Sequence, residues 1–338
     1  MQTPTYINDV TVIIRSVGER TEASCRYLLA QQIPEDHIIT VSNAPFSATL
    51  ADSYRVGIER GLPWTLCIDV DVLVRPCAVS ELLNVAYDLP TEVCEVQGMV
   101  LDKFFGVPRH GGPHLYRTSL LPRALDLIPR EGEDIRPEHY TMKRMVELGH
   151  PWVEMPLVLG LHDFEQYYRD IFRKCYVHAH KHSQQMHLLV EYWRRMASQD
   201  DDYRVALWGL SAGIADCSNV QVDVRHDYGF SKWMQAGELA EKQALKACQI
   251  TPEWIEQTLT EWKAPGGELE RRASCWMKEI IHDGRPPRPE SPRPESRGMR
   301  FKKMKEELGV TMMVPWLAGW SLNWAGRKLM EMVNNSRE

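Results

Sequence analysis

Short apolar runs alternate with amphipathic stretches over the first 75 residues of the chain. The apolar runs are continuous, which is typical of strands buried on both faces of a sheet. The runs are 10–14, 37–41 and 64–68, and the helical stretches between them are 21–32 and 49–60. Pro34 and Gly61 follow the two helical stretches as stop signals. This strand–helix–strand–helix–strand order predicts a parallel α/β half-domain.

The remainder of the chain is less regular and more helical. The pattern predicts strands at 93–100 and 152–161, a loop at 109–114, a helix at 138–148 and helical material over 164–196 and 200–280. Residues 284–298 contain five prolines and a tandem Pro-Arg-Pro-Glu-Ser, which predicts an extended linker. We therefore expect four parts. These are an α/β domain over 1–182, a helical extension over 183–283, the linker over 284–298 and amphipathic helices over 299–338.

Composition narrows the class of protein. The 338 residues carry a formal net charge of −6, which gives no general basic field for nucleic acid. The eight cysteines form no Cys-x-x-Cys pair, and several stand in apolar runs, as reduced cytosolic cysteines do. The first residues lack a basic and apolar leader, and no stretch approaches the roughly 20 apolar residues that span a bilayer. The expected location is the cytoplasm.

Two carboxylates, Asp69 and Asp71, follow the strand predicted at 64–68. The carboxyl edge of an open α/β sheet is where such folds build ligand sites. An acid-x-acid sequence at that edge can hold a divalent cation through oxygen ligands, and through the cation a diphosphate. The expected cation is Mn²⁺ or Mg²⁺.

The order and spacing of these features resemble the metal-dependent GT-A glycosyltransferases, especially the inverting family 2. The resemblance covers about residues 8–182. Downstream of the Asp-x-Asp, the family has an acid, a glycine eleven residues on, a proline seven further and a histidine six after that. Here these residues are Glu138, Gly149, Pro156 and His162. The resemblance implies an α/β GT-A fold with a mostly parallel central sheet, followed by a mainly helical extension.

The resemblance also implies an activity, namely inverting transfer of a sugar from a nucleotide-diphosphate donor to a hydroxyl acceptor in glycan biosynthesis. Asp71 is expected to bind the metal directly, with Asp69 nearer the ribose or a metal-bound water and His162 completing the shell. A carboxylate must take the proton of the acceptor hydroxyl. Glu138 is the first candidate for this base and Asp134 is the second.

Further residues are expected to hold the donor, because they stand at nucleotide-binding positions or offer guanidinium groups to a diphosphate. They are Arg15, Ser16, Glu19, Asn43, Arg55, Asp69, Gly111, Gly112 and Arg169. The family usually has an acidic pair after the second strand, where this chain has Ser42-Asn43. A UDP-sugar is the expected donor, and a GDP-sugar is the alternative.

Two other functions compete with this interpretation. A nucleotidyltransferase shares the α/β half and the metal carboxylates, but it should carry a glycine- and lysine-rich loop, and residues 16–20 have one glycine and no lysine. An inactive GT-A-like scaffold is the other alternative, favoured by Ser42-Asn43.

A pair of histidines, His178 and His182, is expected to share one helix face. The sequence offers no further ligands with zinc-like spacing beside them, so a structural zinc site is not the expected interpretation.

The sequence leaves open what the C-terminal helices pack against. Trp316, Trp320 and Trp324 recur every four residues behind a lysine-rich lead-in. Such a helix face packs against protein, in the same or a second subunit, or lies on the inner face of a membrane. Homo-oligomerisation and peripheral membrane contact are the corresponding expectations.

Overall fold

The computed structural model describes residues 7–216, 220 and 223–284, which form eight strands and eleven α-helices. The strands are β1 Val10–Arg15, β2 Ile38–Val41, β3 Trp64–Asp69, β4 Val72–Val74, β5 Glu95–Asp102, β6 Val107–Arg117, β7 Trp152–His162 and β8 Ile280–His282. The helices are α1 Glu22–Ala30, α2 Phe46–Arg60, α3 Ala78–Asp88, α4 Leu121–Leu125, α5 Pro137–Glu147, α6 Tyr168–Lys181, α7 Met186–Met196, α8 Asp201–Ala215, α9 Phe230–Ala236, α10 Pro252–Glu261 and α11 Gly267–Trp276. The predicted linker beyond Gly284, the helices over 299–338 and their tryptophans lie outside the described residues.

The sheet has the strand order β2-β1-β3-β6-β5-β7-β4, and β8 pairs with β7. Among the described strands, three pairings are parallel: β1 with β2, β1 with β3 and β5 with β7. Four are antiparallel, because β6 runs back between β3 and β5 and because β4 and β8 both oppose β7. The α/β class is confirmed, but the sheet is mixed rather than mostly parallel.

The loop predicted at 109–114 is wrong, since these residues form the middle of β6. Gly111 and Gly112 have φ values of 149° and 86°, and with Pro113 they have the composition of a turn. The strand keeps its pairing because the register with β5 shifts between Gln97 and Met99. The glycines therefore mark an irregularity inside a strand, not its end.

Four further elements were not predicted, namely β4, α3, α4 and β8. The helix α3 follows Pro76 and buries Val79, Leu82, Leu83 and Ala86, an i, i+3, i+4, i+7 pattern. The strand β8 has three residues, too short for periodicity to reveal. In addition, the single helical stretch expected over 164–196 is divided into α6 and α7.

Helices cover both faces of the sheet in the first of two compact units. On one face, side chains of α1, α3 and α10 pack on the sheet, among them Leu28, Leu82 and Ile255. On the other, α2, α4 and α5 contribute Tyr54, Leu121 and Met145 among others. Coverage of both faces explains why β1 is buried at every residue and β3 at every residue before Asp69.

The first unit comprises the described residues up to Asp170, together with 223–226 and 240–284. The second comprises 171–216, 220 and 227–239. In the second unit a Cβ on Gly209 would lie 2.2 Å from the carbonyl oxygen of Phe172, so α8 and α6 pack at close range. None of the helices described here combines the length and the apolar character needed to cross a lipid bilayer.

Candidate functional site

Four strands bring polar side chains to one edge of the sheet. The parallel strands β1 and β3 end in register at Arg15 and Asp69. The parallel strands β5 and β7 end in register at Asp102 and His162. The amide of Asp163 donates to the carbonyl oxygen of Asp71 at 3.1 Å, which joins the segment after β3 to the end of β7. This is the edge at which α/β folds bind ligands.

Asp71, His162 and Asp163 form a group whose candidate ligand atoms all lie within 4.8 Å of one another. The Nε2 of His162 lies 3.5 Å from Oδ1 of Asp71, and its Nδ1 lies 3.3 Å from Oδ2 of Asp163. All three side chains are at least 85% buried. Two carboxylates and one imidazole suit Mn²⁺ or Mg²⁺ completed by water and phosphate oxygens.

The structure thus brings together two of the three predicted metal ligands, Asp71 and His162, and adds Asp163. The third, Asp69, stands outside this group. Its Oδ1 accepts a hydrogen bond from Nε of Arg15 at 2.7 Å, and its side chain is 39% exposed. The role of Asp69 as a ligand stays a prediction.

A buried arginine connects the strand ends to α5. Arg15 donates from Nε to Asp69 and from Nη1 to Oε1 of Glu138 at 2.8 Å. Its side chain is only 2% exposed, and its guanidinium lies 5.0 Å from the centre of the Phe46 ring. Both of these partners are carboxylates of this chain, so Arg15 acts first as an internal counter-ion rather than as a surface arm for a diphosphate.

Glu138, the first predicted base, is surrounded by donors. Oε1 accepts from Arg15 and from the Tyr116 hydroxyl at 2.6 Å, and Oε2 lies 3.2 Å from Nε2 of His114. Burial opposes its ionisation, but the charges of Arg15 and then His114 outweigh burial and lower the pKa of Glu138 to about 2. On the far side of His114, Nδ1 lies 2.5 Å from Oε1 of the buried Glu95.

Asp134, the second predicted base, is exposed, and its Oδ1 accepts from the amide of Arg136 at 2.6 Å. No contact joins it to Glu138 or to the metal group among the contacts described. Either assignment of the base stays a prediction.

The turn between β1 and α1 carries two acids. The Ser16 hydroxyl lies 2.5 Å from Oε2 of Glu22 and 3.1 Å from Oε2 of Glu19, which also accepts from the amide of Val17. Burial, followed by repulsion from Asp71, raises the pKa of Glu19 to about 7. The predicted donor-binding residue Glu19 is therefore near enough to Asp71 for the two carboxylates to repel each other, and Ser16 contacts Glu19.

The predicted contacts Asn43 and Arg55 form a separate local network. The Asn43 amide donates to Asp52 at 2.7 Å, its Oδ1 accepts from the amide of Ala44, and Arg55 donates to the other Asp52 oxygen at 2.7 Å. Arg169 is half exposed and donates to the carbonyl oxygen of Gly18 at 2.9 Å, so it borders the β1–α1 turn. Of the predicted arginines, Arg169 alone combines exposure with proximity to that turn.

The predicted glycines lie next to the metal group. A Cβ on Gly112 would lie 3.1 Å from side-chain atoms of Val72 and Val100, and Val72 follows Asp71 directly. A Cβ on Gly111 would lie 3.1 Å from Nη1 of Arg109. Any side chain at either position would crowd the strand beside the candidate site.

Sequence reasoning missed two acids of this site. Asp163 follows His162 directly, and Asp102 ends the strand that runs parallel to β7. The rule that carboxyl ends of neighbouring parallel strands meet at one edge would have selected Asp102 had the end of β5 been placed correctly. No protein-family model, curated protein or solved structure matches the chain, so the functional argument rests on the sequence motifs and on the geometry of the site.

Proposed function

We propose that this protein is a metal-dependent glycosyltransferase that moves a sugar from a nucleotide-diphosphate donor to a hydroxyl acceptor, with inversion at the anomeric carbon. The observation that carries the proposal is the group formed by Asp71, His162 and Asp163 at the sheet edge, in which Asp71 is the second acid of an Asp-x-Asp that starts at the last residue of β3. The donor set suits a hard divalent cation, and the site sits where open α/β sheets bind nucleotides.

In this proposal Asp71, His162 and Asp163 hold Mn²⁺ or Mg²⁺. When bound, the cation supplies Lewis-acid neutralisation of the charge that develops on the departing diphosphate. Arg15 fixes the Asp69 carboxylate at the mouth of the site, where its exposed oxygen can accept from a ribose or sugar hydroxyl. Arg169, at the β1–α1 turn, is positioned to add a guanidinium to the phosphate side.

The lowered pKa of Glu138 bears on its predicted role as the base. A carboxyl group with a pKa of about 2 accepts a proton from a hydroxyl poorly, since catalytic bases work best with a pKa near the working pH. Glu138 therefore fits a positioning role that holds Arg15 and, through it, Asp69. Asp134 stays the alternative candidate for the base.

The test is titration calorimetry of UDP and GDP with the full chain, with and without Mn²⁺. We expect nucleotide binding that requires Mn²⁺ in the wild type and in Asp88→Asn, an exposed acid at the end of α3. Asp71→Asn should lose the Mn²⁺-dependent binding of nucleotide but keep the melting temperature of the wild type. A panel of nucleotide sugars, read by release of nucleoside diphosphate, then identifies the donor.

Three results would overturn the proposal. One is nucleotide binding that is indifferent to Mn²⁺. Another is Asp71→Asn behaving as Asp88→Asn does. The third is release of pyrophosphate when a nucleoside triphosphate and a sugar 1-phosphate are supplied, with no nucleoside diphosphate released from any nucleotide sugar, which would indicate a nucleotidyltransferase.

A further inference from the structure

Asp102 is a fully buried carboxylate whose hydrogen bond to His162 connects it with the candidate metal group. Its Oδ2 lies 2.8 Å from Nδ1 of His162, in hydrogen-bonding geometry. Its Oδ1 accepts from the amides of Phe104 and Phe105 at 2.9 and 3.0 Å. These two backbone bonds fix the plane of the carboxylate, so Oδ2 has one direction in which to meet the histidine.

The bond to Asp102 decides which nitrogen of His162 faces a cation. Nδ1 lies 2.8 Å from Asp102, compared with 3.3 Å from Asp163, so Asp102 is the hydrogen-bond partner of that nitrogen. A ring nitrogen that donates a proton cannot bind a metal at the same time. This leaves Nε2, the nitrogen that faces Oδ1 of Asp71 at 3.5 Å.

We infer that Asp102 is a positioning residue, which holds the proton of His162 on Nδ1 and aims Nε2 at the cation shared with Asp71. The inference rests on the proposed metal site. Carboxylates that accept from the second nitrogen of a metal-bound histidine fix its tautomer and orientation and raise its basicity. Asp102 has the burial, the rigid support and the geometry for this role.

Arg109 provides a matched control, because it also bonds to the Asp102 oxygen that contacts His162. Its Nε donates to Oδ2 of Asp102 at 2.6 Å. Removal of the Arg109 charge disturbs the same buried carboxylate but leaves its bond to His162 in place. Asp102→Asn instead removes the charge that holds the Nδ1 proton.

The experiment uses the full chain and Mn²⁺ alone as the probe. Mn²⁺ affinity is measured by calorimetry for the wild type, Asp102→Asn and Arg109→Gln. Pulsed electron paramagnetic resonance then reports whether an imidazole nitrogen is bound to the ion. For Asp102→Asn we expect Mn²⁺ affinity to fall about 10- to 100-fold, as for other outer-shell carboxylates, with the imidazole signal weakened. For Arg109→Gln we expect the imidazole signal to persist.

The outcomes separate this inference from the metal site itself. A wild type that binds no Mn²⁺ overturns the metal site and the inference with it. Wild-type affinity and an intact imidazole signal in Asp102→Asn overturn the role of Asp102 alone. If Asp102→Asn does not fold, histidine-selective ¹⁵N spectra of the Zn²⁺-loaded wild type decide the question, with His162 assigned by comparison with His162→Gln. A protonated Nδ1 and a metal-bound Nε2 support the inference, and the reverse arrangement overturns it.

Discussion

Glu138→Gln tests whether this carboxylate stabilises the fold. In the native state Glu138 meets Arg15, Tyr116 and His114, and its pKa falls from 4.5 to about 2. Each pKa unit corresponds to about 1.4 kcal/mol, so ionised Glu138 contributes about 3 kcal/mol to the free energy of unfolding at neutral pH. The amide keeps the shape but loses the charge, which leaves the buried Arg15 with Asp69 as its remaining carboxylate partner.

The lowered pKa of Glu138 fixes the direction in which its contribution to stability changes with pH. Because the pKa is lower in the folded state than in the unfolded state, this stabilisation is present above about pH 4.5. It is lost as pH falls from there towards 2. We therefore expect Glu138→Gln to be less stable than the wild type by about 3 kcal/mol at pH 7, and the difference to shrink below pH 4.5.

Urea unfolding at pH 7, 5, 4 and 3 measures this difference directly. Glu147→Gln is the matched control, since Glu147 is an exposed acid on the same helix and pairs with Arg144 at 3.3 Å. Such surface pairs contribute about 0–1 kcal/mol. Equal stability of Glu138→Gln and the wild type at pH 7, or a difference that does not change with pH, would refute the reasoning.

Three further predictions concern other parts of the chain. Gly160→Ala should lower the free energy of unfolding by about 1–3 kcal/mol or more, measured in urea, because the new Cβ would lie 2.1 Å from the carbonyl oxygen of Leu73. Native-state alkylation mapped by mass spectrometry should label the exposed Cys77 and spare Cys67, whose burial also raises its thiol pKa. Glu19→Gln should gain melting temperature relative to the wild type between pH 5 and pH 8, because the raised pKa of Glu19 means that its ionisation destabilises the fold as pH rises through about 7.

The parts of the fold that the sequence predicts best are those with one dominant signal. The strands near 10–14 and 64–68 are continuously apolar and are found within one residue of their predicted bounds. Gly61 ends α2 with a φ of 67°, as its position after the helical stretch predicts. Local signals failed where tertiary pairing overrode them, as at Gly111 and Gly112, which continue a strand held by β5 and β3.

The site was predictable in part for a similar reason. His162 ends β7 and Asp71 stands two residues after the end of β3, so their place at the sheet edge follows from the sequence. The partners that decide their chemistry are distant along the chain. His114 and Glu95 act on Glu138 from two other strands, and no local pattern indicates that a first-turn acid of α5 will meet Arg15, which lies 123 positions earlier.

The return of residues 240–284 to the first unit has a consequence for synthesis. Ile250 and Ile255 complete its core, the Trp262 indole donates to the carbonyl oxygen of Gly106, and β8 covers the edge of β7. At about 5–20 residues per second, a ribosome needs roughly 6–23 s to pass from Asp170 to Gly284. Throughout that interval the first unit lacks β8, which pairs with β7, and the side chains that complete its apolar core.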